Sequence, residues 1–347
     1  MKIERPWLSH GILSVLGSGR SLPGEAVMTD DLIELIAMRF GLPNAGQARA
    51  IAGHMRIESR HICRTFEQRH EPARAGCTNP DLAAKAVDAA LADAGLRIGD
   101  IGYLIGHTAT PLQPLPSNIA LVADLLGHAG PHAEFRQACT GFANALAMAF
   151  GLMALPGARP MVIVGSETGS LFFDPCLAAY DNGQLVNLLQ MGDGAAALVV
   201  GPAKAGTASL HSAWFGSIGL NRAPGLQMLS GSLDFEHDFA GIAASGNLLF
   251  AAGLRALQSH GHAIGCADII IPHQVSGRIG EQIAGHFDIL PDRIFVNGGR
   301  IGNTGSAAIW MALAELRENG LANGMRLVAL GAEATKYMHG GFVYDHG

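Results

Sequence analysis

The stretch ALADAGLRIGDIGYLIGH at residues 90–107 recurs as ALQSHGHAIGCADIIIPH at residues 256–273. The two stretches align without a gap, 166 residues apart, and each ends on a histidine. The same spacing relates Gly165–Glu167 to Gly331–Glu333. Several matches in one register favour duplication over chance identity in an apolar-rich chain. A repeat of this length predicts two related α/β domains and not a short-period solenoid.

Each repeat unit is predicted to run helix, strand, helix, strand, helix, strand, because short buried strands alternate with helical periodicity. In the first unit we expect helices at 82–95, 117–127 and 139–155, and strands at 101–106, 133–138 and 161–164. In the second unit we expect helices at 245–258, 277–287 and 303–318, and strands at 267–271, 293–297 and 326–331. A first strand at 7–18 and a helix from Leu32 precede them. The pattern gives no placement for residues 44–80. It predicts an insertion at 170–190 and a long Gly-rich loop at 216–242.

The bulk composition describes a large, well-buried protein. The chain has 347 residues, of which 49% are hydrophobic and 15% charged. This length suffices for two domains with a substantial core, and the low charged fraction is typical of a permanent subunit interface. The formal net charge of −6 argues against general nucleic-acid binding, which needs a basic surface.

The cysteines and the apolar segments indicate a cytoplasmic protein outside the membrane. The chain has 5 cysteines, an odd number with no CxxC spacing, so reduced thiols are the simplest account. The N-terminal residues lack an apolar segment of signal-peptide length. The most apolar run, residues 145–155, is too short to span a bilayer and is predicted to be a buried helix.

Cys139 is the candidate nucleophile. It follows the irregular polar stretch Arg136–Ala138 and precedes the apolar segment Phe142–Leu155. A thiol at the start of a helix lies near the first-turn amides, and the helix dipole there is expected to favour the thiolate. The alternative is a plain buried cysteine, which is the commoner case for any thiol.

Two further residues occupy comparable ends of the repeated elements. Asn303–Gly305 repeats the Cys-Thr-Gly pattern of Cys139–Gly141 ahead of another apolar helix, at a spacing of 164. His273 follows a predicted strand, as His107 does in the first unit, and open α/β sheets place their sites at that edge. Taken singly, Asn303 could be a helix N-cap and His273 a turn residue. Together they predict one active site built from both halves.

A cysteine, a histidine and an asparagine suit acyl-thioester chemistry. A thiolate exchanges with a thioester to give an acyl-enzyme. Histidine and asparagine side chains can donate hydrogen bonds to a thioester oxygen that becomes an enolate. Backbone amides at a helix start can stabilise the oxyanion of acyl transfer, and one such donor contributes about 10²–10³-fold in rate.

Four motifs then resemble those of the β-ketoacyl-acyl carrier protein synthase III family, in family order and at family-like spacing. They are Ala138–Phe142, Gly192–Ala195, Pro272–Gln274 and Gly302–Ala308. The resemblance implies an α/β thiolase-like fold of five αβαβα layers, built from two duplicated halves at 1–190 and 191–347, and a homodimer.

The resemblance also implies a reaction. Cys139 takes an acyl group from coenzyme A or an acyl carrier protein, while His273 and Asn303 hold a malonyl-acyl carrier protein thioester as it loses carbon dioxide. The enolate then attacks the acyl group and gives a β-ketoacyl product. The backbone amide of Cys139, with that of Glu333 or Ala334, forms the oxyanion hole. The thioesters are substrates, and no further cofactor and no metal is implied.

Two departures from the family pattern indicate a specialised paralogue. Residues 50–57 lack the tryptophan that often stacks on coenzyme A, which favours a carrier-protein-bound donor. Gly331–Tyr337 stands where several glycines and an aromatic residue are usual. A thiolase-fold acyltransferase acting on a hydroxyl or amine, or a non-catalytic partner subunit, remain alternatives to the condensing enzyme.

Three lesser patterns are interpreted as structural. Glu167 and Glu333 occupy matching strand ends, and we favour structural carboxylates over a general base there. Asp193 is expected to be a turn residue. The group formed by His260, His262 and Cys266 is not expected to bind a metal.

Overall fold

The computed structural model describes residues 5–228 and 235–347. Its strands are β1 (Trp7–Leu8), β2 (Ile12–Ser21), β3 (Val27–Met28), β4 (Ser59–Arg60), β5 (Tyr103–Thr108), β6 (His132–Arg136), β7 (Met161–Glu167), β8 (Gly194–Pro202), β9 (Ser209–Ser217), β10 (Leu226–Gln227), β11 (Glu236–His237), β12 (Ile269–Pro272), β13 (Arg326–Glu333) and β14 (Met338–Asp345). Its helices are α1 (Thr29–Phe40), α2 (Ala45–Met55), α3 (Asn79–Ala94), α4 (Asn118–Leu126), α5 (Gly141–Met153), α6 (Asn182–Gln190), α7 (Phe239–Ser259), α8 (Ile279–Phe287), α9 (Gly298–Ile301) and α10 (Ala308–Glu318).

The main sheet shows the duplication directly. Its order is β12-β13-β14-β9-β2-β8-β7-β5-β6, and β1 pairs with β9 at the side. Reading outward from the β2–β9 contact, β2-β8-β7-β5 corresponds to β9-β14-β13-β12. In the first half, β5 and β7 are parallel and β8 is antiparallel to β7. In the second half, β12 and β13 are parallel and β14 is antiparallel to β13. The predicted repeat of two α/β halves is therefore confirmed.

The helices complete five layers. Helices α5 and α10 lie between the two half-sheets and contact strands of both. Helices α3 and α4 cover the outer face of the first half-sheet, and α7 and α8 cover the outer face of the second. A smaller apolar cluster formed by α1, α2 and α6 lies apart from the sheet.

Close packing of α5 against β14 depends on one glycine. A Cβ on Gly340 would lie 2.5 Å from the Cβ of Ala143, so a side chain there would push the helix away. Beside it, the ring of Phe142 meets Trp310 of α10 edge-on, with centroids 5.6 Å apart. Aromatic contacts of this kind join the two halves at the central helix layer.

Helix α7 is the one described helix that is long and apolar enough to cross a membrane by length and composition. Leu249, Gly253 and Leu257 lie on one face of it and are buried. That face packs on β9, β13 and β14. Burial against a sheet accounts for the apolar composition of α7.

Several predicted boundaries need correction. The stretch 44–80, left without a placement, contains α2 and the start of α3, and the predicted insertion at 170–190 contains α6. The predicted strand at 293–297 is wrong, because only Ile294 makes a bridge, to Ile270. The predicted loop at 216–242 contains the short pair β10–β11, and its residues 229–234 lie outside the described residues.

The predicted division between the halves, at 190/191, falls before β8. Strand β8 pairs with β2 and β7 of the first half. Its counterpart in the second half is β14, which the sequence pattern did not reveal. The pairing groups β8 with the first-half strands, and the division at 190/191 stays a prediction.

Candidate active site

Cys139 lies in a tight turn that joins β6 to α5. The Gly141 amide donates to the Ala138 carbonyl at 2.9 Å, which closes the turn, and α5 begins at Gly141 with Thr140 as its N-cap. The thiol is partly buried. The structure thus places Cys139 two residues before the helix, close to the predicted position.

The carboxylate of Glu333, at the end of β13, occupies the start of α5. Its Oε2 accepts bonds from the Thr140 amide at 2.8 Å and the Thr140 hydroxyl at 2.6 Å, and Thr335 donates its hydroxyl to Oε1. A carboxylate at a helix N-terminus is electrostatically favourable. The helix start is therefore already paired with a negative charge.

The expectation that this helix start favours a thiolate is wrong. Burial raises the pKa of the Cys139 thiol well above its usual range, and the carboxylates of Glu333 and Glu167 raise it further. A negative charge on sulfur is disfavoured both by the loss of water and by the like charges beside it. Cys139 is accordingly held as a thiol.

Glu167 mirrors Glu333 at the end of β7. Its Oε2 accepts bonds from the Ser306 amide at 2.9 Å and the Ser306 hydroxyl at 2.7 Å, while Thr110 donates to Oε1. Burial raises the pKa of Glu167, and these hydrogen bonds oppose the rise. Both carboxylates are satisfied by neighbouring groups, which supports the structural interpretation.

The two glutamates also correct the register of the halves. Thr140 and Ser306 are 166 residues apart, as are their partners Glu333 and Glu167, so these pairs are equivalent. By this spacing Cys139 corresponds to Gly305, and not to Asn303. The likeness of Cys139–Gly141 to Asn303–Gly305 is therefore two residues out of structural register.

Asn303 is fixed by its backbone and by one side-chain bond. Its amide donates to the Gln190 carbonyl at 2.7 Å, and its carbonyl accepts from the Gly192 amide at 3.1 Å. The side-chain Oδ1 accepts from the Gly305 amide at 3.0 Å, so the Nδ2 group remains as the donor. Because a 3-10 turn at Gly305–Ala307 precedes α10, Asn303 does not cap that helix.

His273 directly follows β12 and is buried. Its amide donates to the Leu330 carbonyl at 2.8 Å, and the next residue, Gln274, accepts bonds from the amides of Asn297 and Gly298, both at 2.7 Å. Burial lowers the pKa of His273 to about 4, so the ring is neutral at physiological pH. Its Nδ1 has no hydrogen-bond partner among the described residues.

His107, the counterpart of His273, belongs to the core. Its Nε2 accepts a bond from the Trp310 indole at 2.9 Å, and burial lowers its pKa to about 3. A Cβ on Gly165 would lie 2.6 Å from the His107 ring, which shows how tightly the ring is packed. The duplicated histidine position thus has a structural role in the first half.

A cavity of about 50 Å³ opens beside Cys139. Asn303 and Glu167 line it together with Cys139, whereas His273 does not. Its other polar lining consists of Asn187, Gln190 and His237. Sequence reasoning missed these three residues, because they lie in two segments, 170–190 and 216–242, that show no regular pattern of apolar residues.

A larger cavity of about 310 Å³ lies elsewhere, between β2, α3 and α10. Its two arginines are already paired: Arg20 with Glu315 and Glu318, and Arg317 with Asp93. It contains none of the predicted site residues. The smaller cavity is the candidate active site because Cys139, the predicted nucleophile, lines it.

Comparison with known families agrees with this geometry. The profile of 3-oxoacyl-[acyl-carrier-protein] synthase III matches residues 133–219, and that of the synthase III C-terminal region matches residues 257–344. The β-ketoacyl-[acyl-carrier-protein] synthase III of Rhodobacter capsulatus is 32% identical over 273 residues, which cover 74% of this chain and 80% of the relative. This chain belongs to the synthase III family. The Neisseria gonorrhoeae enzyme is 30% identical over 91% of this chain and 94% of its own.

Solved structures show the same fold for this synthase III member. The tetronic acid condensing enzyme AbyA1 superposes with a TM-score of 0.82 at 25% identity, over 96% of this chain and 99% of that one. The 3-oxoacyl-(acyl carrier protein) synthase III of Pseudomonas aeruginosa gives a TM-score of 0.79 at 26% identity, over 96% and 98%. The predicted thiolase-like fold and the predicted family of acyltransferases are confirmed.

The remaining predicted residues of this synthase III member have structural contacts. Asp193 is buried and accepts bonds from the amides of Cys63 at 2.6 Å and Ser170 at 2.9 Å, so it ties distant segments to the start of β8. His262 contacts the Ser212 hydroxyl at 3.0 Å, and His260 contacts the Ala213 carbonyl at 3.1 Å. Within 5–228 and 235–347, no group of three or more metal-ligating side chains is found.

Proposed function

We propose that this protein catalyses a Claisen condensation of acyl thioesters. Cys139 attacks a donor thioester, the donor thiol leaves, and an acyl-Cys139 forms. A malonyl-acyl carrier protein then loses carbon dioxide, and its enolate attacks the acyl carbon to release a β-ketoacyl product. The observation that carries the proposal is the single cavity lined by Cys139 from the first half and Asn303 from the second.

The second-half side chains hold the extender. Asn303 has Nδ2 available because Gly305 occupies Oδ1. A neutral His273 offers one N–H, and its unpartnered Nδ1 leaves the ring free to use it toward a substrate. When the bond to the carboxylate breaks, its electron pair moves into the thioester carbonyl, and these two donors stabilise the resulting enolate oxygen.

The backbone completes the acyl-transfer step. The amide of Cys139 and the amide of Glu333 or Ala334 supply the oxyanion hole in this proposal. Their positions support it, because the Glu333 side chain binds Thr140, the residue after the nucleophile. As the enolate attacks, the C–S bond to Cys139 breaks and the sulfur leaves as a thiolate that then takes up a proton.

The donor and the assembly follow from the same proposal. The substrates are acyl groups on coenzyme A or on an acyl carrier protein, with no further cofactor, and the enzyme is a cytoplasmic homodimer. Curated relatives that carry acyl-carrier-protein synthase names support the carrier protein as partner. Strand β6 supports a dimer, because within the described part of the chain it ends the sheet and pairs with β5 alone.

Intact-mass spectrometry on acyl thioesters tests the proposal. We expect an adduct of acyl mass on the wild-type chain, and none on Cys139→Ser. With malonyl-acyl carrier protein added, the adduct disappears while carbon dioxide and a β-ketoacyl product form. An ester or amide product without carbon dioxide supports transfer to a hydroxyl or amine acceptor instead. A chain that is never acylated is a non-catalytic partner subunit.

A further inference from the structure

Three uncharged polar side chains line the mostly apolar cavity beside Cys139. His237, Gln190 and Asn187 line it beside the aromatic side chains of Phe173 and Phe235. A pocket for a plain hydrocarbon chain gains nothing from these groups, because burying them costs free energy unless they are hydrogen-bonded. Their hydrogen bonds therefore indicate what the cavity accepts.

The ring of His237 is held rigidly and is incompletely bonded. It stacks on Phe239 at 5.0 Å between centroids with 12° between planes, and it meets Phe235 at 6.5 Å. Its Nδ1 is buried without a hydrogen-bond partner among the described residues. Burial lowers the pKa of His237 to about 4, which a hydrogen bond from the ring to the Phe235 carbonyl opposes. Leaving the buried Nδ1 unpaired costs free energy, so a ligand atom that pairs with it binds better.

Gln190 offers the matching donor. Its only described side-chain bond runs from Nε2 to the Asn187 Oδ1 at 3.4 Å, a long contact. Among the described residues, nothing donates to Gln190 Oε1. Asn187 in turn donates to the Phe235 carbonyl at 3.4 Å, which ties α6 to the segment that carries His237.

The cavity also limits the size and charge of its occupant. A volume of about 50 Å³ holds roughly four water-sized groups, which corresponds to a short acyl chain. Among the described residues, no lysine or arginine lines it, and the Glu167 carboxylate does. A carboxylate on the acyl chain would therefore meet no cation and one like charge.

We propose that His237 and Gln190 form a binding site for a hydroxyl group on a short, uncharged acyl chain carried by Cys139. A hydroxyl fits because it donates its one proton to the unpaired Nδ1 of His237, whose ring N–H bonds to the Phe235 carbonyl, and accepts from the Gln190 amide NH2 group. A ketone could only accept and would leave Nδ1 unpaired. This assignment rests on the proposed acylation of Cys139 and names the class of acyl group.

Paired acyl thioesters that differ by one hydroxyl test the proposal. The pairs are lactyl with propionyl and 3-hydroxybutyryl with butyryl pantetheine, and the readout is the rate of Cys139 acylation by intact mass. In at least one pair we expect the hydroxylated thioester to react about 10-fold faster or more, because a site built around a hydroxyl rejects the analogue that lacks it. In His237→Phe, which keeps the aromatic stack, the ratio should fall to within about twofold of one.

Two further variants make the result interpretable. Gln190→Leu should also reduce the ratio, which covers the case in which His237→Phe fails to fold. His10→Phe, at an exposed site between β1 and β2, should leave the ratio unchanged. Equal or faster reaction of propionyl and butyryl in the wild type overturns the proposal, as does a ratio that neither cavity variant changes. Failure of every thioester to label Cys139 instead overturns the proposed condensation.

Discussion

The start of α5 in the first half is equivalent to the start of the 3-10 turn before α10 in the second half. At each of these positions a glutamate from the other half accepts hydrogen bonds. Glu333, on β13, binds the amide and hydroxyl of Thr140, whereas Glu167, on β7, binds the amide and hydroxyl of Ser306. The two glutamates therefore cross over. Apart from these matching contacts the halves differ: the first carries the proposed nucleophile and a core histidine, and the second carries both side chains that are proposed to hold the carbonyl.

The difference teaches that duplication preserved the supports and changed the chemistry. At the equivalent strand ends, Nδ1 of both histidines is unpaired among the described residues, but His107 accepts a bond from Trp310 on Nε2, whereas no described residue bonds to the His273 side chain. Cys139 precedes Thr140 in the first half, and Gly305 precedes Ser306 in the second half. One half was thus free to supply the sulfur and the other to supply hydrogen-bond donors.

The largest expected effect separates the two histidines. His273→Ala should reduce malonyl decarboxylation about 10²–10³-fold, since a donor to the enolate is lost, while acylation of Cys139 persists. His107→Ala should instead lower the free energy of unfolding by about 2–4 kcal/mol, because it leaves a cavity and an unpaired Trp310 N–H. Carbon dioxide release and urea unfolding measure the two effects. Equal loss of decarboxylation in both folded variants would contradict the division of roles.

A second prediction tests the crossed supports. Thr140→Val and Ser306→Ala each remove a buried hydroxyl that binds a glutamate, and each should cost about 1–3 kcal/mol in urea unfolding. Thr65→Val is the matched control, since Thr65 donates to Glu71 at 3.1 Å on the surface. That control should change stability by less than about 0.5 kcal/mol. If only one buried change destabilised the protein, the two supports would not be equivalent.

The smallest effect is expected in the titration of the thiol. Glu333→Gln removes a negative charge that disfavours the thiolate, so the pKa of Cys139 should fall. Glu167→Gln should lower it less, because the charge of Glu167 contributes less to the shift. The pH dependence of iodoacetamide alkylation of Cys139 gives the midpoints, with Glu67→Gln as an exposed control. A midpoint that moved to higher pH in Glu333→Gln would refute this assignment.

The sequence was sufficient for the local features and insufficient for the long-range ones. The repeat at 90–107 and 256–273 predicted two halves, because matched glycines and strand ends report on backbone geometry. The helix start after Cys139 was visible in the change from polar to apolar residues. The raised pKa of the thiol was not, because its causes are burial and a glutamate nearly 200 residues away in the chain.

Other misses have similar physical reasons. Residues 294–296 form a short apolar run with β-branched residues, as in a buried strand, but only Ile294 makes a bridge to another strand. His237 lies on a two-residue strand, which is too short to give any period. The role proposed for His237 depends on α6, which lines the same cavity. Tertiary contacts alone bring α6 and His237 together there.

The crossed glutamates have a consequence for the history and the engineering of the chain. A polypeptide cut between β8 and β9 yields two fragments. In each fragment the helix start lacks its glutamate partner, because that glutamate belongs to the other fragment. Neither fragment alone can present a supported cysteine turn, so activity should return only on mixing. A single-half ancestor would have met the same need by pairing with an identical copy. After fusion the two copies could differ in sequence, so that only one of them carries the cysteine at this position.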